Sequence, residues 1–182
     1  TSNNTRIQMR DFDSSNGIEE ISGNGYANVD IRGDNGDNTF DFSTTTLSGI
    51  QEIETRGGND TVISSAGDDN IDTGSGDDIV YASGGNDTID GGTGFDTVYY
   101  SGSIDDYAMQ RSGANMAITD NVNGNGDDTL NRVEMLQFDD YTYYMDGRNN
   151  GPVAVDNIEI RPVLPRGFRF VKSVPEAMQV GQ

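Results

Sequence analysis

Five aspartates, Asp60, Asp69, Asp78, Asp87 and Asp96, recur every nine residues, and each stands two places after a glycine. Those glycines are Gly58, Gly67, Gly76, Gly85 and Gly94. A carboxylate beside a glycine-rich turn brings side-chain and main-chain oxygens together, the donors that a hard cation such as Ca²⁺ prefers. Glycine admits the φ > 0 conformations that let backbone carbonyls face inward. Two places after each aspartate comes one aliphatic residue: Val62, Ile71, Val80, Ile89 or Val98. The spacing therefore points to metal binding. Histidine and cysteine are both absent, which removes the usual zinc sites and the Ser-His-Asp and Cys-His devices. No residue is assigned a catalytic role.

The elements that must position these groups follow from the same period. Residues 55–99 divide without a gap into TRGGNDTVI, SSAGDDNID, TGSGDDIVY, ASGGNDTID and GGTGFDTVY. The first six residues of each unit suit a turn, and the last three suit a short strand whose middle side chain points inward. A turn plus a strand carries the chain half-way round a flattened coil, so units two apart stack. Asp60 is then expected under Asp78, Asp78 under Asp96, and Asp69 under Asp87, which makes three inter-turn sites. Carboxylates stacked about 5 Å apart repel by roughly 3 kcal/mol at an effective dielectric near 20. An ion between them turns that repulsion into attraction. Composition alone would favour a disordered glycine- and aspartate-rich segment. The strict period, with an aliphatic residue at every eighth place, argues for the coil, and disorder describes the state expected without calcium.

Residues 91–99 meet the pattern G-G-x-G-x-D-x-U-x at every place, a pattern already associated with calcium-binding parallel β-helices. On this evidence residues 55–99 resemble the repeats-in-toxin (haemolysin-type) family of secreted bacterial proteins. The resemblance implies an all-β fold, a right-handed parallel β-roll or β-helix solenoid. It also implies Ca²⁺ held by the sixth-place aspartates and by carbonyls of the turns that carry the fourth-place glycines. The departures are at the first two places of a unit, where Thr55-Arg56, Ser64-Ser65 and Ala82-Ser83 replace the glycine pair. Arg56 stands at the outermost site.

Asp and Glu together number 31 against 11 Lys and Arg, for a net charge of −20 over 182 residues. Such a surface repels nucleic acid and anionic membranes. Without cysteine, disulfides neither stabilise the fold nor report its compartment. No apolar run approaches the length of a membrane span. The sequence opens at Thr1 with no signal segment, which reads as a fragment or a processed piece.

Residues 1–54 carry a degenerate form of the same architecture and are expected to cover the N-terminal end of the solenoid. Residues 33–41 (GDNGDNTFD) match the repeat with Asn38 in the sixth place, so a site there would be weak or empty. A sub-repeat occurs as residues 17–21 (GIEEI) and again as 49–53 (GIQEI). Four extra residues between Asp41 and Thr55 place a loop near residues 43–46. Residues 100–150 are expected to form the C-terminal cap, with a hairpin around residues 112–115. The loop 121–128 superficially suggests an EF-hand, but Arg132 stands where a bidentate Glu is required. Residues 133–140 (VEMLQFDD) resemble the segment that often follows the last repeat in this family. Six of the eight tyrosines lie between Tyr99 and Tyr144, and cap packing is favoured over a sugar-binding platform.

Residues 151–182 hold all four prolines and have four basic against three acidic residues, a net +1 beside −21 for the rest. They are expected to be a linker or a docking tail. Residues 149–156 also resemble junctions leading into cadherin-like repeats of large bacterial surface proteins. Together these features predict a calcium-binding module of a secreted or cell-surface bacterial protein, structural or adhesive, that folds on Ca²⁺ outside the cell. Two alternatives stand beside it. One is the non-catalytic C-terminal domain of a secreted protease, lipase or polysaccharide-modifying enzyme, and the other is a self-assembling filament subunit. The expected partners are calcium ions, with extracellular polysaccharide or further copies of the chain as candidates. Nucleic acid and membrane insertion are not expected.

Overall fold

The structure is a computed structural model, and it describes residues 5–122 and 126–145. Short strands separated by tight turns wind into a parallel β-solenoid with two principal sheets. One sheet stacks Thr5–Gln8, Val29–Arg32, Ile50–Glu54, Asn70–Asp72, Thr88–Asp90 and Asp127–Asn131, all parallel. The other stacks Asp11–Phe12, Thr39–Asp41, Thr61–Ile63, Ile79–Tyr81, Thr97–Tyr99 and Met135–Gln137, also parallel. Among the described residues there is no α-helix, only the 3-10 turns Ser14–Asn16 and Ile104–Asp106.

The nine-residue period dictates this arrangement. Strands of three residues alternate between the sheets, so the partner across each ladder lies eighteen residues away: Val62 on Val80 and Val80 on Val98 in one sheet, Ile71 on Ile89 in the other. Each unit sends its eighth residue inward. The result is two facing columns, Phe40-Val62-Val80-Val98-Leu136 and Ile31-Ile53-Ile71-Ile89-Leu130, every member at most 2% exposed. Burying one such side chain contributes about 1.5–3 kcal/mol. With only one per unit, the middle of the solenoid has a thin core.

Aromatic clusters thicken the core at both ends. Phe12 stacks on Phe42 at 5.1 Å with Phe40 beside them, and Tyr100, Tyr107 and Phe138 pack together at 5.1–5.6 Å. Tyr100 and Tyr107 thus pack in the core, as expected, while Tyr81 and Tyr99 stack at 4.7 Å on the outer face of their sheet. At the C-terminal end the parallel sheets give way to antiparallel strands. The expected hairpin is present as Tyr107–Ser112 and Asn115–Asp120, turning at Gly113 (φ 65°), and Asn115–Asp120 pairs with Asp127–Asn131. Thr142–Tyr144 lies antiparallel on Met135–Gln137.

The N-terminal part differs in detail from expectation. A turn does fall at Ser43-Thr44, but Thr46–Ser48 then forms a third, two-stranded parallel sheet with Glu20–Ser22. The extra residues therefore build a short third side of the coil, because Leu47 can be half-buried against Ile21 there. The two copies of the GIxEI sub-repeat do not play equivalent parts. Ile21 belongs to this small sheet, whereas Ile53 sits in the main column between Ile31 and Ile71. The linker or docking tail expected at 151–182, and the junction at 149–156, lie outside the described residues.

Candidate metal centre

The turns bring the sixth-place aspartates into two stacks along the edges of the solenoid. On one edge the backbone amide of each aspartate donates to the carboxylate one coil on: Asp60 to Asp78 Oδ1 at 2.7 Å, and Asp78 to Asp96 Oδ1 at 2.9 Å. On the other edge Asp69 donates to Asp87 Oδ1 at 2.9 Å. These are the pairs expected from the two-apart register. All five side chains are buried.

Close stacking explains the fourth-place glycines. Gly58, Gly76, Gly85 and Gly94 have φ of 111°, 132°, 109° and 143°, and a Cβ on Gly76 or Gly94 would overlap the carbonyl oxygen of Gly58 or Gly76. Gly67 is the exception, with an ordinary φ and nothing nearer to an added Cβ than Ser65 Oγ at 3.8 Å, an ordinary contact. Arg56 adopts φ 86° in the place held by Gly74 and Gly92 in the following coils, so the turn backbone is kept without the glycine. Its guanidinium points along the surface toward Glu54, 3.9 Å away. Thr55 and Thr73, standing where the pattern has glycine, are buried, and their hydroxyls donate to the carbonyls of Thr73 and Gly91 one coil on.

The two edges differ in one respect. Asp60, Asp78 and Asp96 each use Oδ1 to accept an amide, and in each the other oxygen, Oδ2, is buried without a hydrogen-bond partner. A buried anionic oxygen with nothing to compensate it is costly, and a bound cation supplies the compensation. On the opposite edge serines take part of that role. Ser65 donates to Asp69 Oδ2 from both its amide (2.8 Å) and its hydroxyl (2.9 Å), and the Ser64 hydroxyl lies 3.3 Å from Asp87 Oδ2. Among the described residues no three acidic side chains converge on one point. An ion between coils would thus draw on two carboxylates plus turn carbonyls, a donor set that suits Ca²⁺.

Burial without cations raises the carboxyls. It pushes Asp87 and Asp96 up to about 7 and Asp78 up to about 6, with stacked neighbours adding to each, and it also raises Asp60 and Asp69. Acid groups held this far from their ordinary values mark where the fold stores unfavourable charge.

Three residues extend the stacks: Asn38, whose sixth place the sequence shows, and Asp128 and Glu134, which the repeat reading does not reach. Asn38 stands under Asp60, with its amide donating to Asp60 Oδ1 at 2.7 Å. Its own side-chain oxygen is taken by the Asp34 amide at 3.0 Å, so it supplies no charge. Its sixth place in the repeat was legible; its part in the ladder was not. At the other end Asp96 donates to Glu134 Oε2 at 2.9 Å, and Asp87 donates to Asp128 Oδ1 at 2.8 Å. Asp128 had a signal in the sequence: Gly126-Asp127-Asp128-Thr129-Leu130 repeats the G-x-D-x-U half of a unit beyond the hairpin. Glu134 had none. A second, outer ladder runs through the fifth places, where Asn59, Asp77 and Phe95 donate to Asp37, Asn59 and Asp77, and Asn86 donates to Asp68.

This fold and these stacked carboxylates define a calcium-binding β-roll. A family model described as "RTX calcium-binding nonapeptide repeat (4 copies)" matches residues 46–80, 54–89 and 63–98, so this stretch consists of RTX repeats, which bind Ca²⁺. No curated protein matches the chain significantly. Among solved structures, the extracellular lipase LipA from Serratia marcescens is similar over 60% of this chain and 22% of its own, at 17% identity and a TM-score of 0.29.

Proposed function

We propose that the chain is a calcium-dependent structural or adhesive module of a secreted or cell-surface bacterial protein, that it is not itself catalytic, and that it gains its ordered form outside the cell. In this reading Asp60, Asp69, Asp78, Asp87 and Asp96 supply the carboxylates, and the turns at Gly58, Gly67, Gly76, Gly85 and Gly94 supply carbonyls. The N-terminal coils and the antiparallel C-terminal strands act as end covers. The observation that carries the reading is the row of buried, unpartnered Oδ2 atoms at Asp60, Asp78 and Asp96. Extracellular modules bind Ca²⁺ at about 10⁻⁴–10⁻³ M, well above cytosolic free calcium. Such affinities keep the carboxylates unfilled, and the chain loose, until export.

Calorimetric titration tests the metal part. Wild-type protein should bind several ions per chain, and Asp78→Asn should bind fewer. Equal stoichiometry in the two would contradict the ligand assignment. For the extracellular part, protease added to intact cells that express the full-length gene should remove the module. Protection until lysis would contradict it.

A further inference from the structure

We propose a further calcium site, between Asp87 and Asp128, that the solenoid builds across the hairpin insertion and that ties the C-terminal cap to the repeats. It rests on the calcium reading above. The repeats matched to the family end at residue 98, and the chain then departs into the hairpin Tyr107–Ser112 and Asn115–Asp120. On its return it resumes the repeat geometry. Gly126 (φ 92°) settles on Gly85 with the same loss of Cβ space that Gly94 shows on Gly76. Asp87 donates its amide to Asp128 Oδ1 at 2.8 Å, as Asp69 does to Asp87. Leu130 takes the inward place on Ile89. Asp128 thus occupies a sixth place, although forty-one residues separate it from Asp87.

A second observation points to a ligand at this position. Tyr100 is 3% exposed, and its hydroxyl is buried without a hydrogen bond of good geometry, yet it faces the carboxylates of Asp128 and Asp87. Asp87 and Asp128 are themselves 1% and 3% exposed, and among the described residues no ion pair reaches either. Two buried carboxylates beside a buried phenol oxygen form an all-oxygen pocket for one hard cation. Asp87 belongs to the repeats, whereas Asp128 belongs to the strand that carries the hairpin. Filling the site therefore fastens the cap, while an empty site leaves two anions opposed at the junction.

The test uses the full chain and terbium as the probe, because the sequence has no tryptophan and tyrosine alone can sensitise the emission. Terbium bound beside Tyr100 should give strong tyrosine-sensitised luminescence that calcium displaces. Asp128→Asn should lose most of that emission and one calcium per chain, while keeping the calcium-induced β spectrum. Tyr100→Phe, which keeps both carboxylates, should lose the emission and hold that one calcium more weakly while the other ions bind as before, which guards against a variant that merely misfolds. Tyr26→Phe, at an exposed tyrosine outside the repeats, should leave the emission in place. Full emission and an unchanged count in Asp128→Asn would overturn the proposal. Absence of calcium binding in the wild-type chain would overturn the underlying calcium reading instead.

Discussion

The backbone amide of Asp78 donates to Oδ1 of Asp96, one coil on, and in both residues Oδ2 is left buried and unpartnered. One carboxylate thus holds two coils in register with one oxygen and offers the other to a cation.

Position in the stack should grade the effect of mutation. Asp78 lies between two carboxylates, Asp60 and Asp96, whereas Asp60 has the neutral Asn38 on one side. Asp78→Ala should disturb two inter-coil sites and Asp60→Ala mainly one. At ten times the dissociation constant each site adds roughly 1.4 kcal/mol. The calcium midpoint followed by circular dichroism should rise more for Asp78→Ala, and equal shifts would mean that the sites do not follow the eighteen-residue register.

Protons should substitute weakly for calcium. Burial first, and then the charge of neighbours, holds Asp78 at about 6 and Asp87 and Asp96 at about 7 in the fold, against an ordinary value near 3.8. Because the folded values are raised, their contribution to stability is full below the ordinary value and is lost as pH rises to about 7. In EGTA the chain should therefore gain β signal on acidification from neutral pH to about 5. In calcium, the midpoint should move to higher concentration over the same range, as protons compete for the oxygens. Loss of order in EGTA on acidification would contradict the sign.

Two glycines in the same place of the repeat should respond differently to alanine. Gly76 has φ 132° and no room for a Cβ, while Gly67 has an ordinary φ and its nearest neighbour, Ser65 Oγ, at 3.8 Å. Gly76→Ala should cost on the order of 1–3 kcal/mol or more, and Gly67→Ala should stay within about 0.5 kcal/mol. Melting temperatures in saturating calcium distinguish them.

Much of this was legible in the sequence because a period of nine leaves little choice. Glycine, aspartate and one aliphatic residue at fixed places specify turn, ligand and core at once, and the pairing of Val62, Val80 and Val98 follows. Legibility fails where the period breaks. Asp128 is hidden because the hairpin separates it from the repeats, and the acidic loop before it superficially suggests an EF-hand while only the G-x-D-x-U half of a unit is present. Glu134 reaches Asp96 from outside any repeat, through a contact that only three-dimensional packing creates. The strand Thr46–Ser48 begins where the loop near residues 43–46 ends, and no local pattern marks it because its partner, Glu20–Ser22, lies in a different coil. Ser64 and Ser65 read as departures from a glycine pair, yet they satisfy carboxylate oxygens on their edge.

The central claim is that calcium completes the fold, and circular dichroism of the chain titrated from excess EGTA into millimolar Ca²⁺ tests it most directly. With a thin core, a net charge of −20 and, among the described residues, three buried unpartnered carboxylate oxygens, the metal-free chain should lack most of the β signal at neutral pH. That signal, and a cooperative melt, should appear together over a narrow range of added calcium. The same β-rich spectrum and the same melting temperature in EGTA as in calcium would contradict the account.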